Sequence, residues 1–291
     1  MKIGVFGREC NPDKLPVVKG LFDRLNVLGA AVYVQSCYAV FLSEKFNYHP
    51  ENVKIIDGRS FDLDLVLSVG GDGTFLRTAL EVNRQNIPIL GINTGRLGFL
   101  ADVGSSQIDE ALDELFRGDY KVEERSLLCL TGMEEQAFDG FNYALNEVAI
   151  LKRDTSSMIT VHTYLNDDYL TSYVADGLVI ATPTGSTAYS MSVNGPVLLP
   201  QNRNFILSPV APHSLNVRPV VIPDHYIITL TVESRTNSFL TSLDGRSEDF
   251  PVGTVLKISK ADFLTRVVKR FNQTFYQTLR EKLMWGTDAR S

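Results

Sequence analysis

Residues 64–77, Asp-Leu-Val-Leu-Ser-Val-Gly-Gly-Asp-Gly-Thr-Phe-Leu-Arg, set one carboxylate, Asp72, among three glycines. Leu65, Val66, Leu67 and Val69 read as a buried strand, while Thr74 is a helix-capping type and Phe75, Leu76, Ala79 and Leu80 recur at helical spacing. Gly70, Gly71 and Gly73 allow a large anion close to the backbone, and a helix N-terminus favours phosphate. A loop that only held phosphate would gain nothing from a negative charge at its centre. Asp72 therefore reads as a base for a hydroxyl or as a ligand for a phosphate-bound metal. A tight turn in which Asp72 merely caps the next helix is the plainer alternative. The glycine spacing matches neither a dinucleotide fingerprint nor a Walker loop, and no Lys follows.

The densest further signal is residues 175–196, where an apolar strand runs into six hydroxyl side chains between Thr182 and Ser190, with Gly185 among them. Small donors and acceptors beside one aromatic, Tyr189, suit a sugar, a purine and a phosphate. A Ser/Thr-rich surface loop is the alternative. Ser186 lacks a nucleophile elbow, which argues against a hydrolase. Asn146-Glu147 interrupts an apolar strand, a costly arrangement unless the pair meets a ligand or partners; an exposed edge strand would also accommodate it. The turn at 91–100 is glycine-rich and follows a strand, so it either lines the same crevice or needs glycine for backbone geometry alone. His213 reads as structural, and Asp244-Gly245 as a hairpin turn whose Arg246 could reach a phosphate.

Positioning these residues falls to two kinds of chain. Up to about residue 122, short apolar strands alternate with amphipathic helices, one of them following Asp13, which implies a mainly parallel sheet with ligands at the carboxyl ends of its strands. From about 123 to 261 the segments are short and alternating, implying an antiparallel β-rich domain. Phe263, Val267, Phe271, Phe275, Leu279 and Leu283 are spaced at four, so 262–291 is expected to be a C-terminal helix packing back on the first domain or on a neighbouring subunit. The 291 residues suit two domains. A net charge of −6 argues against a general nucleic-acid or anionic-membrane binder, and no apolar run approaches membrane-spanning length. Three scattered cysteines suggest reduced thiols in a cytoplasmic protein.

Taken together, Gly70-Gly71-Asp72-Gly73-Thr74, Asn146-Glu147 and the 176–196 segment resemble the NAD kinase family in order and separation, over nearly the whole chain. The first loop alone also resembles those of phosphofructokinases and lipid kinases; joined to Thr182-Pro183-Thr184-Gly185-Ser186-Thr187-Ala188-Tyr189-Ser190 it is specific. The resemblance implies a phosphofructokinase-like α/β domain and a β-rich sandwich domain with the site in the cleft between them. It implies transfer of a phosphate from ATP to the 2′-hydroxyl of the adenosine ribose of NAD, with a divalent metal such as Mg and a homodimer or homotetramer. By the same pattern Asp72 takes the hydroxyl proton, Gly71 and Gly73 admit phosphates and ribose, and Arg77 contacts the nucleotide. Asn146 and Glu147 would hold the adenosine ribose, Asp176 the nicotinamide end, and Thr187, Ala188, Tyr189, Ser190, Met191 and Ser192 the adenosine, with Ala211 beside the nicotinamide. Val174, Asn194 and Arg246 depart from the family's usual residues, so no contact is carried over to Val174 or Arg246. The rivals are a related lipid or sugar-phosphate kinase and a catalytically silent NAD(P)-binding sensor.

Overall fold

The computed structural model describes residues 1–58, 60–95, 98–154 and 157–285. The chain divides into two units, Met1–Glu124 with Thr265–Ser291, and Arg125–Leu264.

In the first unit, strands β1 (Lys2–Gly7), β2 (Ala31–Gln35), β3 (Val53–Ile56), β4 (Leu65–Gly70) and β5 (Ile89–Asn93) are parallel, in the order β5-β4-β1-β2-β3. Their unbroken apolar runs are what a sheet covered on both faces requires: every residue from Leu65 to Val69 is buried. A two-residue strand, β6 (Val103–Gly104), adds to β5. The helices are α1 (Leu15–Val27), α2 (Ser36–Phe46), α3 (Asp72–Val82) and α4 (Ile108–Arg117). Leu21 and Phe22 of α1, Tyr38 and Leu42 of α2 and Leu112 of α4 share one core with Val5, Val34 and Leu67 of the sheet. Helix α1 follows a short turn at Pro12–Lys14, and Asp13 does not cap it. Helix α3 is capped by Gly71 rather than Thr74, because the chain bends at Gly70 (φ +155°) and Thr74 already lies in the first turn, where a Cβ on Gly70 would meet its Oγ1 at 2.2 Å.

The second unit is antiparallel. One sheet contains β10 (Ile159–Leu165), β11 (Asp168–Ala175), β15 (Ile228–Glu233) and the start of β18 (Leu256–Arg270); β7 (Tyr120–Thr131) pairs with β8 (Tyr143–Ala144). The other follows the order β14 (Val220–Pro223), β13 (Asn204–Val210), β12 (Gly177–Ala181), β9 (Glu147–Leu151), β16 (Ser238–Leu243), β17 (Arg246–Pro251). Val161, Tyr173 and Leu230 from the first sheet pack with Ile150, Ile180 and Phe205 from the second, as in a β-sandwich.

The tail differs from its expectation. Residues 262–270 belong to β18, and among the described residues of the tail only Phe275–Leu283 forms a helix, α6, with Thr274 accepting the Gln277 N–H at 3.2 Å; residues 286–291 lie outside the described residues. Positions four apart share a face in a strand as they do in a helix, so the Phe263/Val267 spacing could not separate the two. The β-branched Thr265, Val267 and Val268 decide for strand. Val267 pairs with Ile89 of β5, so the end of β18 extends the parallel sheet of the first unit.

Candidate functional site

Strand order β3-β2-β1-β4-β5 reverses direction between β1 and β4, and in such sheets ligands bind beyond the carboxyl ends of the strands flanking that point. A cavity of about 880 Å³ lies there, lined by Arg8 and Glu9 after β1, Gly70 and Gly71 after β4, and Thr94 and Gly95 after β5. Its lining is charged with both signs, Arg8, Lys14 and Lys45 against Glu9 and Glu44. A second cavity of about 580 Å³ reaches Gly73 and Arg77, which is paired with Glu81 at 3.5 Å. The turn expected to line a crevice thus contributes Asn93 to Gly95, while its Arg96 and Leu97 lie outside the described residues.

Asp72 opens α3, yet its carboxylate does not cap that helix. It crosses to the loop after β5: Oδ2 accepts the Phe99 N–H at 2.9 Å, and Oδ1 accepts those of Leu100 and Ala101 at 3.0 Å each. Lys282 Nζ of α6 lies 3.2 Å from Oδ2. Burial pushes the carboxyl up, but the three amides and the ammonium outweigh it and hold the group below the ordinary aspartate range. Gly98 leaves the carboxylate its room, since a Cβ there would lie 1.9 Å from Asp72 Oδ1. A Cβ on Gly71 or Gly73 would meet no protein atom, so their open side faces free space.

In the second unit the strand expected over 143–150 breaks at Leu145–Asn146. Asp244 accounts for the break by accepting the N–H groups of Leu145, Asn146 and Glu147 at 2.7, 2.9 and 3.0 Å. Asp244 and Gly245 occupy the left-handed region (φ +49° and +84°), as the expected hairpin turn demands. Arg246 does not reach outward for a phosphate. Its guanidinium donates to the carbonyls of Phe141 and Tyr143 at 2.6 Å each, supporting the segment before the break.

Glu147 is strongly perturbed by this arrangement. Burial, reinforced by the Asp244 carboxylate and only partly offset by the Tyr189 N–H, pushes its carboxyl up to about 8. Its Oε2 is buried and makes no hydrogen bond. Tyr189 has its phenol raised by burial and then by the Glu147 and Asp176 carboxylates, so all three converge. Asp176 pairs with Lys152 at 2.7 Å, and its N–H donates to Val210 at 2.9 Å, setting Ala211 (φ +43°) beside it.

The hydroxyl-rich loop is partly spent on itself. Thr182 donates to the Leu145 carbonyl at 2.6 Å, Ser186 to that of Pro183 at 2.7 Å, and Ser190 faces Ser208 at 3.3 Å; all three are buried. Gly185 packs on Asn146, where a Cβ would lie 2.1 Å from its carbonyl. Thr187, Ala188, Tyr189 and Met191 are half-buried and Ser192 is exposed. Within one unit, then, the structure gathers Gly71, Asp72, Gly73 and Arg77; within the other, Asn146, Glu147, Asp176, the 187–192 turn and Ala211. Sequence reasoning missed Gly98, Lys282 and the part played by Asp244, because each acts on residues far away along the chain.

Comparison with known proteins identifies the family. Residues 4–120 match the family described as ATP-NAD kinase N-terminal domain, and residues 145–270 the ATP-NAD kinase C-terminal domain. The NAD kinase of Bacteroides fragilis is 49% identical over 290 residues, covering 100% of both chains, and that of Porphyromonas gingivalis is 46% identical, covering 99% of each. Among solved structures, an NAD kinase from Archaeoglobus fulgidus in complex with ATP has a TM-score of 0.76 at 27% identity, covering 98% of this chain and 99% of that one. Yeast NADH kinase complexed with NADH shares the fold, with a TM-score of 0.86 at 23% identity over 99% of this chain and 89% of that one.

Proposed function

Because the chain belongs to the NAD kinase family, we propose that it transfers the terminal phosphate of ATP to the 2′-hydroxyl of the adenosine ribose of NAD, giving NADP and ADP. The observation that carries this reading is Asp72, an ionised carboxylate at the carboxyl end of β4 and at the start of a helix. Asp72 accepts the hydroxyl proton as the phosphoryl group arrives. A carboxylate held this acidic is a weak base. Phosphoryl transfer with a loose transition state suits one, because proton removal need not run ahead of bond formation.

The open side of Gly71 and Gly73 and the cations Arg8, Lys14 and Lys45 support placing the donor's phosphates in the cavity beyond β1 and β4, with Arg77 contacting the nucleotide. On the second unit, Asn146 and Glu147 bind the adenosine ribose, and the uncommitted Oε2 of Glu147 is the atom left for a hydroxyl. Thr187, Ala188, Tyr189, Met191 and Ser192 contact the adenosine while buried Ser190 shapes the turn beneath them; Asp176 and Ala211 take the nicotinamide end. Among the described residues no group of three or more His, Cys, Asp or Glu could hold a metal. This fits Mg, which is commonly bound through substrate phosphates with few protein ligands. When bound, it neutralises charge on the transferring phosphate.

Substitution of Asp72 by Asn tests the reading: NADP formation should fall about 10²- to 10⁴-fold with NAD binding kept. Full activity in that variant would remove Asp72 from its role, and NADP binding without turnover in the parent chain would favour the silent sensor. Phosphorylation of a lipid or sugar phosphate in place of NAD would favour the related kinase. A cytoplasmic setting is part of the proposal, supported by three cysteines that form no disulfide and by the absence, among the described residues, of a helix long and apolar enough to cross a membrane. So is a homodimer or homotetramer, for which exposed Phe271, Tyr276 and Trp285 offer apolar surface, and which light scattering checks.

A further inference from the structure

The C-terminal arm of the first unit returns to one short loop four times. Lys269 is ion-paired with Asp102 and donates to the Phe99 carbonyl at 3.4 Å. Gln273 donates to the Asp102 carbonyl at 2.8 Å. The Phe275 ring lies 6.0 Å from that of Phe99, and the Lys282 ammonium sits 4.5 Å above the Phe99 ring while contacting Asp72. Residues 99–101 are the same ones whose amides hold Asp72. One arm therefore secures both the carboxylate and its donors.

We propose that Lys282 is a positioning residue for the reaction, its ammonium being carried by α6 to the Asp72 carboxylate to keep Oδ2 aimed. The inference rests on the reading of Asp72 as acceptor of the hydroxyl proton. A half-exposed ion pair contributes little to folding. This one differs in its partner and its anchorage. The ammonium is fixed from two sides, by the face of Phe99 and by the oxygen that also accepts the Phe99 N–H. Loss of the cation leaves Oδ2 with a single amide, so its aim rests on the three backbone N–H groups alone and is held less firmly. Small misalignments of a reacting group cost rate far more than they cost binding.

The experiment compares Lys282→Met, Lys282→Arg and the parent, as full chains, in an assay of NADP formed from NAD and ATP with magnesium. We expect Lys282→Met to lower kcat about tenfold with KM for NAD within about twofold. Lys282→Arg, which keeps the cation, should recover most of kcat. The melting temperature of both should stay within about 3 °C of the parent. An unchanged kcat in Lys282→Met, an increased kcat of the kind an inhibitory pair would give, or equal losses in both variants overturns the inference. Asp72→Asn is run alongside. Full activity in that variant overturns the underlying role of Asp72, whereas an inactive Asp72→Asn beside an unaffected Lys282→Met overturns this inference alone.

Discussion

Asp72 and Asp244 are the same device used to opposite ends. Each is a turn aspartate whose carboxylate accepts three consecutive backbone N–H groups, from 99–101 in one unit and 145–147 in the other. Their acidities nonetheless diverge. Asp72 keeps a side chain 29% exposed and a lysine ammonium, and it is held below the ordinary range. Asp244 is a half-buried residue whose carboxyl is enclosed by protein, and that enclosure raises it despite the amides of Glu147, Leu145 and Asn146 and the nearby Arg246. Amide donation alone thus does not set the charge state; how deeply the carboxyl is enclosed does. One carboxylate remains available for chemistry, and the other becomes a peg that shapes a strand break.

The largest expected effect breaks the peg. Asp244→Ala strands three buried N–H groups, each worth about 1–3 kcal/mol, so the unfolding free energy should drop by at least ~3 kcal/mol in urea titration. Asp72→Asn, in contrast, keeps one acceptor oxygen and is expected to cost less stability while removing turnover. Next, Gly98→Ala pushes a methyl into Asp72 Oδ1 and should cut kcat by about 10²-fold while changing the melting temperature little, since the loop can give way. If Gly98→Ala unfolds the protein instead, the loop is a peg as well and the contrast weakens.

The smallest effect is a pH slope of opposite sign in the two regions. Glu147 rises from the usual 4.5 to about 8 on folding, so between those values the folded state holds a proton that the unfolded chain has lost. Stability should therefore decline as pH rises from 4.5 to 8, and Glu147→Gln should flatten that decline. Asp72, depressed, contributes stability that is present above its unfolded value of 3.8 and lost only as pH falls through its folded value. Chemical denaturation at several pH values separates the two slopes.

The sequence made one side of this comparison legible and hid the other. Strand, glycine turn and helix around Asp72 are neighbours in the chain, so their pattern shows in a dozen residues. The targets of Asp244 lie about a hundred positions away, and its Asp-Gly dipeptide displays only a hairpin turn. Similarly, the period-two strands of the sandwich were readable, whereas α2 was not, since it buries only Tyr38 and Leu42 and leaves Val40 52% exposed. In the hydroxyl-rich loop, residue type suggested ligand contacts, but burial decides which hydroxyls remain free of internal work. Thr182, Ser186 and Ser190 do not.

The path of the chain has a consequence for its birth on the ribosome. The unit that begins at residue 1 is completed only by residues 265 onward, after the whole sandwich has emerged. Until then β5 lacks its second neighbour at Ile89, Asp102 has no lysine, and Asp72 faces no ammonium. A nascent or prematurely stopped polypeptide that ends before Lys282 therefore carries the aspartate of the glycine turn without that ion pair.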